Sequence, residues 1–137
     1  MAGRVKARYP HMKPGEAAIW ERFLRRLPWR AKSIRYDVRL GQGVALPTDT
    51  EAWVSKMVWA LSTKRVDVLV ETRREVVIVE VKERAAMSAV GQLLGYLVLF
   101  RAQFPTKKVV KLAVVCERIA PDMGIVFREY GIEAYVV

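Results

Sequence analysis

Hydrophobic and polar positions recur along this chain with two different periods, and the changes of period mark out its elements. Pro14 to Leu27 (PGEAAIWERFLRRL) sets Trp20, Phe23, Leu24 and Leu27 at helical spacing. That predicts an amphipathic helix opened by Pro14 and closed before Pro28. Ser33 to Leu40 switches to period two, with Ile34, Tyr36, Val38 and Leu40 alternating against Arg35, Asp37 and Arg39, as in a half-buried strand. Gly41-Gln42-Gly43 ends it, and the loop continues through Pro47 to Thr50. Asp49 or Thr50 can cap a helix from Glu51 to Leu61 with Trp53, Met57, Ala60 and Leu61 inward; an irregular strand is the alternative there. Val66 to Lys82 reads as two Val- and Ile-rich strands joined by the tight polar turn Thr72-Arg73-Arg74-Glu75. Ala86 to Gln103 predicts a long helix, apolar nearly all round and so expected to lie buried against a sheet, with Gly91 and Gly95 permitting close approach. Lys108 to Glu117 predicts a strand buried on both faces, the kind used in parallel pairing. Pro121 opens a short helix, Gly131 closes it, and Ile132 to Val137 forms a last strand.

The resulting order, α-β-(α)-β-β-α-β-α-β, predicts an α/β fold: a mixed sheet flanked by helices, with a right-handed strand–helix–strand crossover. A length of 137 residues suits one domain, expected over residues 14–137 and preceded by a basic arm, residues 1–13. That arm is equally readable as a solvated tail. No repeat, low-complexity segment or phosphate-binding glycine loop interrupts the pattern.

The apolar runs of the hairpin are broken at Asp67, Glu80 and Lys82. Side chains alternate along a strand, so Glu80 and Lys82 leave on one face. With the turn centred on Arg73-Arg74, paired residues sum to 147, and Asp67 lies opposite Glu80. Direct cross-strand partners hold their Cβ atoms about 5 Å apart, and two like charges there repel. A divalent cation between them turns the repulsion into a binding site, and oxygen ligands suit Mg²⁺ or Mn²⁺. Lys82 beside that centre can orient a water, take a proton if its own pKa is lowered, or stabilise charge on a phosphoryl group. These are the parts needed for metal-assisted phosphodiester hydrolysis. Upstream, a 100° step per residue sets Glu16 within the apolar stripe of the first helix, four residues before Trp20. Burying an unpaired charge is costly, so Glu16 serves either a site or the helix dipole.

The pattern Asp67-x12-Glu80-x-Lys82 resembles the core motif of the PD-(D/E)XK nuclease superfamily, with Val66 where that motif often has proline. Gln92 and Tyr96 lie four apart on one face of the next helix. This Gln-x3-Tyr resembles the added motif of the RecB-like branch, where it helps position DNA and the metal-site residues. The resemblance covers about residues 14–117. It implies a restriction-endonuclease-like αβββαβ core and a Mg²⁺- or Mn²⁺-dependent DNA nuclease. Asp67, Glu80 and the backbone carbonyl of Val81 would ligate the metal, Glu16 would complete the acidic site, and Lys82 would position or activate water. Gln92 and Tyr96 would orient these groups or the DNA.

Net charge changes the picture in one respect. The chain carries +10, and residues 1–40 hold eleven Lys/Arg against three Asp/Glu. A polyanionic partner is expected, nucleic acid ahead of membrane. Arg22, Arg25 and Arg26 on the outer face of the first helix, with Lys64 and Arg65 before the hairpin, are the candidate DNA contacts; an ordinary solvated surface is the alternative. One cysteine, Cys116, and one histidine, His11, exclude a disulfide framework, a Cys₄ zinc site and a two-histidine acid–base scheme. No secretory segment is visible near the N-terminus, and the longest uncharged run, Ala85 to Phe100, is shorter than a membrane span, so a cytoplasmic protein is expected. Two other functions fit the same residues. One is a structure-selective enzyme of the Holliday-junction resolvase type, a class that works as dimers; for the chain in general, a homodimer or a partner subunit that supplies specificity stays open. The other is a catalytically silent nuclease fold that only binds nucleic acid or protein.

Overall fold

The structure is a computed structural model, and it describes residues 9, 11–40, 49, 51–53, 56 and 65–137. Its elements are α1 (Pro14–Leu24), β1 (Ser33–Arg39), β2 (Arg65–Glu71), β3 (Glu75–Ala85), α2 (Met87–Gln103), β4 (Val109–Ile119), α3 (Met123–Glu129) and β5 (Ile132–Val136). The five strands form one sheet in sequential order. β1, β2 and β3 pair antiparallel, whereas β3, β4 and β5 pair parallel. This is the mixed, helix-flanked α/β sheet that the periodicity predicts, consistent with a restriction-endonuclease-like core.

Strand alternation splits the core between the two faces of the sheet. Leu69, Ile78 and Val114 pack with Leu93, Tyr96 and Phe100 of α2 and Phe127 of α3. Val70, Val77, Val79 and Val115 pack with Ile19, Trp20 and Phe23 of α1. β4 lies between two parallel neighbours, so Leu112 to Cys116 are buried without a polar break, as its composition requires. Cys116 is a buried free thiol.

The hairpin turn is fixed by Thr72. Its Oγ1 accepts the amides of Glu75 at 3.0 Å and Arg74 at 3.3 Å, while its own amide donates to the Glu75 carbonyl at 2.9 Å. From this turn the register runs Glu71–Val76, Val70–Val77, Leu69–Ile78 and Val68–Val79, each pair summing to 147. α1 begins at Pro14 and approaches β3 closely. A Cβ on Gly15 would come within 2.0 Å of Glu83 Oε1, the tip of an exposed side chain near the end of β3 that can swing aside.

Four expectations are corrected. α1 ends at Leu24, three residues before the predicted stop, and Leu27 reaches the core from the following turn. α2 is buried on one face only: Met87 is 59% and Val98 65% exposed, because the sheet covers a single side of the helix. Gly91 has open space where a Cβ would stand, so it serves no close approach. Trp53, expected inward, is 64% exposed and donates its indole N–H to Glu51 rather than packing in the core. The rest of the helix expected from Glu51 to Leu61 lies outside the described residues, as does most of the N-terminal arm.

Candidate active site

At the end of the hairpin away from the turn, the ladder gives way to side-chain chemistry. Val68–Val79 is the last bonded pair of the β2–β3 register, and Asp67 and Glu80 come next. Here the Asp67 carboxylate takes the place of a backbone acceptor: Oδ2 accepts the Val81 amide at 2.9 Å. Glu80 is only 2% exposed, in a run of buried valines. Lys82, next on the same face, holds its Nζ 3.8 Å from Glu80 Oε2. Glu80 Oε1 is buried with no hydrogen-bond partner. An orphaned carboxylate oxygen in a protein core is rare and calls for a missing partner.

The electrostatics follow from this geometry. Burial pushes Asp67 up to about 6, with Glu16 and Asp37 adding repulsion while the Val81 amide and Lys82 pull it down. Burial also raises Glu80 well above the ordinary carboxylate range, with Asp67 as the next cause and Lys82 opposing. Glu80 therefore holds a proton more tightly because Asp67 is there, and Asp67 because it is buried near Glu16 and Asp37.

A cavity of about 460 Å³ opens onto the pair. Among the residues singled out by sequence, Glu16, Arg65, Asp67, Glu80, Lys82, Gln92 and Tyr96 all line it. Tyr96, 1% exposed, donates its hydroxyl to the Arg65 carbonyl at 3.3 Å, tying α2 to the start of β2. Gln92 Oε1 is a second buried acceptor without a partner. Glu16 faces the cavity but also works for its helix: its Oε1 accepts the Lys13 amide at 3.1 Å. Among the described residues no three Asp, Glu, His or Cys side chains gather tightly enough to hold a metal by themselves, so Asp67 and Glu80 stand as a pair with Glu16 further off.

Arg22, Arg25 and Arg26 do not reach this cavity. They line a separate one of about 370 Å³ with Val136 and Val137. The two lie at the same end of the sheet, since Lys82 pairs with Cys116 and Cys116 with Val136. Arg22 is already engaged, 3.7 Å from Glu117. Lys64 lies outside the described residues.

The structure adds His11, Lys13 and Arg39 to the cavity wall. It also sets Asp37 across from Asp67, between the pairs Tyr36–Val68 and Val38–Val66. Asp37 has φ of 54°, a left-handed conformation that aspartate tolerates better than most residues, and its Oδ1 is buried without a partner.

Fold and site together define an α/β protein with an acid–acid–lysine centre on a β-hairpin. The family model of the endonuclease NucS C-terminal domain matches residues 54–137, and the chain belongs to that family. The match takes in β2 through β5 and therefore Asp67, Glu80, Lys82, Gln92 and Tyr96; Glu16, His11 and Arg39 lie before it. No curated protein and no solved structure matches the chain. No helix among the described residues is long and apolar enough to cross a membrane.

Proposed function

We propose that the chain is a divalent-metal-dependent DNA nuclease of the RecB-like PD-(D/E)XK kind, with residues 14–137 acting as one catalytic domain in the cytoplasm. The observation that carries this is Glu80: a carboxylate buried in a valine strand, one oxygen without a partner, facing Asp67 and beside Lys82. A structural ion pair would satisfy the acid. A cation-binding acid needs a free oxygen.

The donor set fits Mg²⁺ or Mn²⁺. Asp67 and Glu80 would hold the ion, with the Val81 carbonyl as a further oxygen and Glu16 supporting from the cavity wall. Mg²⁺ commonly takes one or two carboxylates and completes its shell with water and substrate phosphate, so a two-acid site is sufficient. When bound, the metal supplies Lewis-acid stabilisation of the phosphoryl oxygens and lowers the pKa of water. Lys82 Nζ, held near Glu80, orients the attacking water and offsets charge that develops on phosphorus. Tyr96 fixes the start of β2 and so the placement of Asp67, and the Gln92 amide is available to the substrate. Membership of a family described as an endonuclease domain supports the same reading.

Cleavage of plasmid, linear duplex, single-stranded and four-way-junction DNA, each with Mg²⁺, Mn²⁺ or chelator, tests it. Metal-dependent cutting that is lost in Lys82→Ala is the expected outcome. Strong preference for the junction by a dimer would reassign the enzyme to the resolvase type. Binding without cutting under every metal would leave a silent nuclease fold.

A further inference from the structure

The β1–β2 register makes Arg39 the direct partner of Arg65. Direct cross-strand partners hold their Cβ atoms about 5 Å apart, and like charges there destabilise a sheet. Among the described residues no carboxylate forms an ion pair with either arginine. Both nevertheless line the cavity of Asp67, Glu80 and Lys82. Arg65 is held at two points: its Nη1 contacts His11 Nε2, and its carbonyl accepts the Tyr96 hydroxyl. A guanidinium has no acceptor, so the imidazole nitrogen must accept. That contact spends no negative charge on the guanidinium. Two opposed cations with no carboxylate in ion-pair contact, one of them anchored, leave a place for a further anion. The fork of an arginine matches the oxygens of a phosphate, and two forks side by side can share one.

We propose that Arg39 and Arg65 form a phosphate clamp holding the phosphodiester next to the scissile one, with His11 as the positioning residue for Arg65. Arg65 lies two residues from Asp67 along β2, about 7 Å, which sets the clamp on a neighbouring phosphate. The clamp rests on the nucleic-acid reading above but not on its metal chemistry. It can be tested without turnover.

The experiment is fluorescence-anisotropy binding of a labelled twenty-nucleotide DNA, single-stranded and duplex, in chelator across a salt series. Arg39→Gln and Arg65→Gln should each weaken binding roughly tenfold and lower the salt slope by about one. The double variant should lose less than the product of the two, because one phosphate serves both. Arg39→Lys should bind between wild type and Arg39→Gln. His11→Ala should weaken binding in the wild-type background and do nothing further in Arg65→Gln. Free Arg39→Gln should melt at a higher temperature than wild type, since a like-charge pair is relieved. Arg30→Gln and Arg73→Gln, which line the cavity at the turn end of the hairpin, should change binding about twofold or less. Wild-type binding by Arg39→Gln and Arg65→Gln, losses that multiply in full, or equal losses at Arg30 and Arg73 would each overturn the clamp. Lys82→Ala separates the two claims: it should lose cleavage, while Arg39→Gln or Arg65→Gln added to it should still weaken binding roughly tenfold. Absence of cleavage under any metal with the arginine effects intact would remove the catalytic reading and leave the clamp.

Discussion

Thr72 and Glu80 are buried polar side chains that sit at opposite ends of the same hairpin. At the turn end every demand is met inside the protein. Thr72 Oγ1 takes two amides, Lys108 Nζ donates to the Thr72 carbonyl at 2.8 Å, and Lys111 pairs with Glu75 at 2.9 Å. At the other end Glu80 Oε1 has nothing, Asp67 raises its proton affinity, and Lys82 stands 3.8 Å away. A buried polar group with its partners specifies structure. One left without them calls for a partner, here the proposed cation.

The largest expected difference between the two ends is in turnover. Glu80→Gln and Lys82→Ala should slow single-turnover cleavage by about 10²–10⁴-fold. Thr72→Ala should leave it within about twofold, because it touches no reacting group. Equal losses at both ends would erase the distinction.

Next in size is pH. Asp67 rises from its ordinary 3.8 to about 6 on folding, and Glu80 is raised well above the ordinary carboxylate range. The native state therefore binds these protons more tightly than the unfolded chain. Metal-free stability is greatest at low pH, falls as pH climbs from about 4 through about 6, and continues to fall as Glu80 ionises. For Asp67 alone the loss is about 3 kcal/mol. Urea melts in chelator should show it. Asp67→Asn should flatten the lower part of the slope and raise stability at pH 8, and Mn²⁺ should restore the wild type at pH 8. A wild-type curve that rises with pH would contradict the charged-pair account.

Smaller effects sharpen the contrast. Thr72→Ala should cost about 1–2 kcal/mol in the same melts, by orphaning turn amides, with no metal response. Tyr96→Phe removes one hydroxyl bond to the Arg65 carbonyl. It should cost about 1 kcal/mol and slow cleavage only a few-fold. Loss of activity as deep as in Lys82→Ala would instead make Tyr96 a participant in the chemistry.

Much of this hairpin was legible from sequence because its turn is short. Thr72 to Glu75 fixes the register, and continuing it one step past Val68–Val79 brings Asp67 against Glu80. Gln92 and Tyr96 were legible for a similar reason, since a helix keeps residues four apart on one face and α2 follows β3 almost at once. Arg39 was not legible as a site residue. Its apposition to Arg65 depends on β1 pairing with β2 across the long connection of residues 40–64, and no local rule sets that register. His11 was read only as a reason to exclude histidine chemistry, yet it lies in the cavity wall, on the segment just before α1. Asp37 looked like the polar phase of an alternating strand, and its left-handed backbone left no trace in that alternation.

The central claim is that the Asp67–Glu80–Lys82 end of the hairpin is a metal-dependent phosphodiesterase site. The most direct measurement is single-turnover cleavage of DNA by wild type, Glu80→Gln and Lys82→Ala, with Mg²⁺, with Mn²⁺ and with chelator, on samples whose DNA affinity has been matched in chelator. The account predicts cutting by wild type with either metal, none in chelator, and loss in both variants despite unchanged binding. Cutting that persists in chelator, or in Lys82→Ala at the wild-type rate, would contradict it.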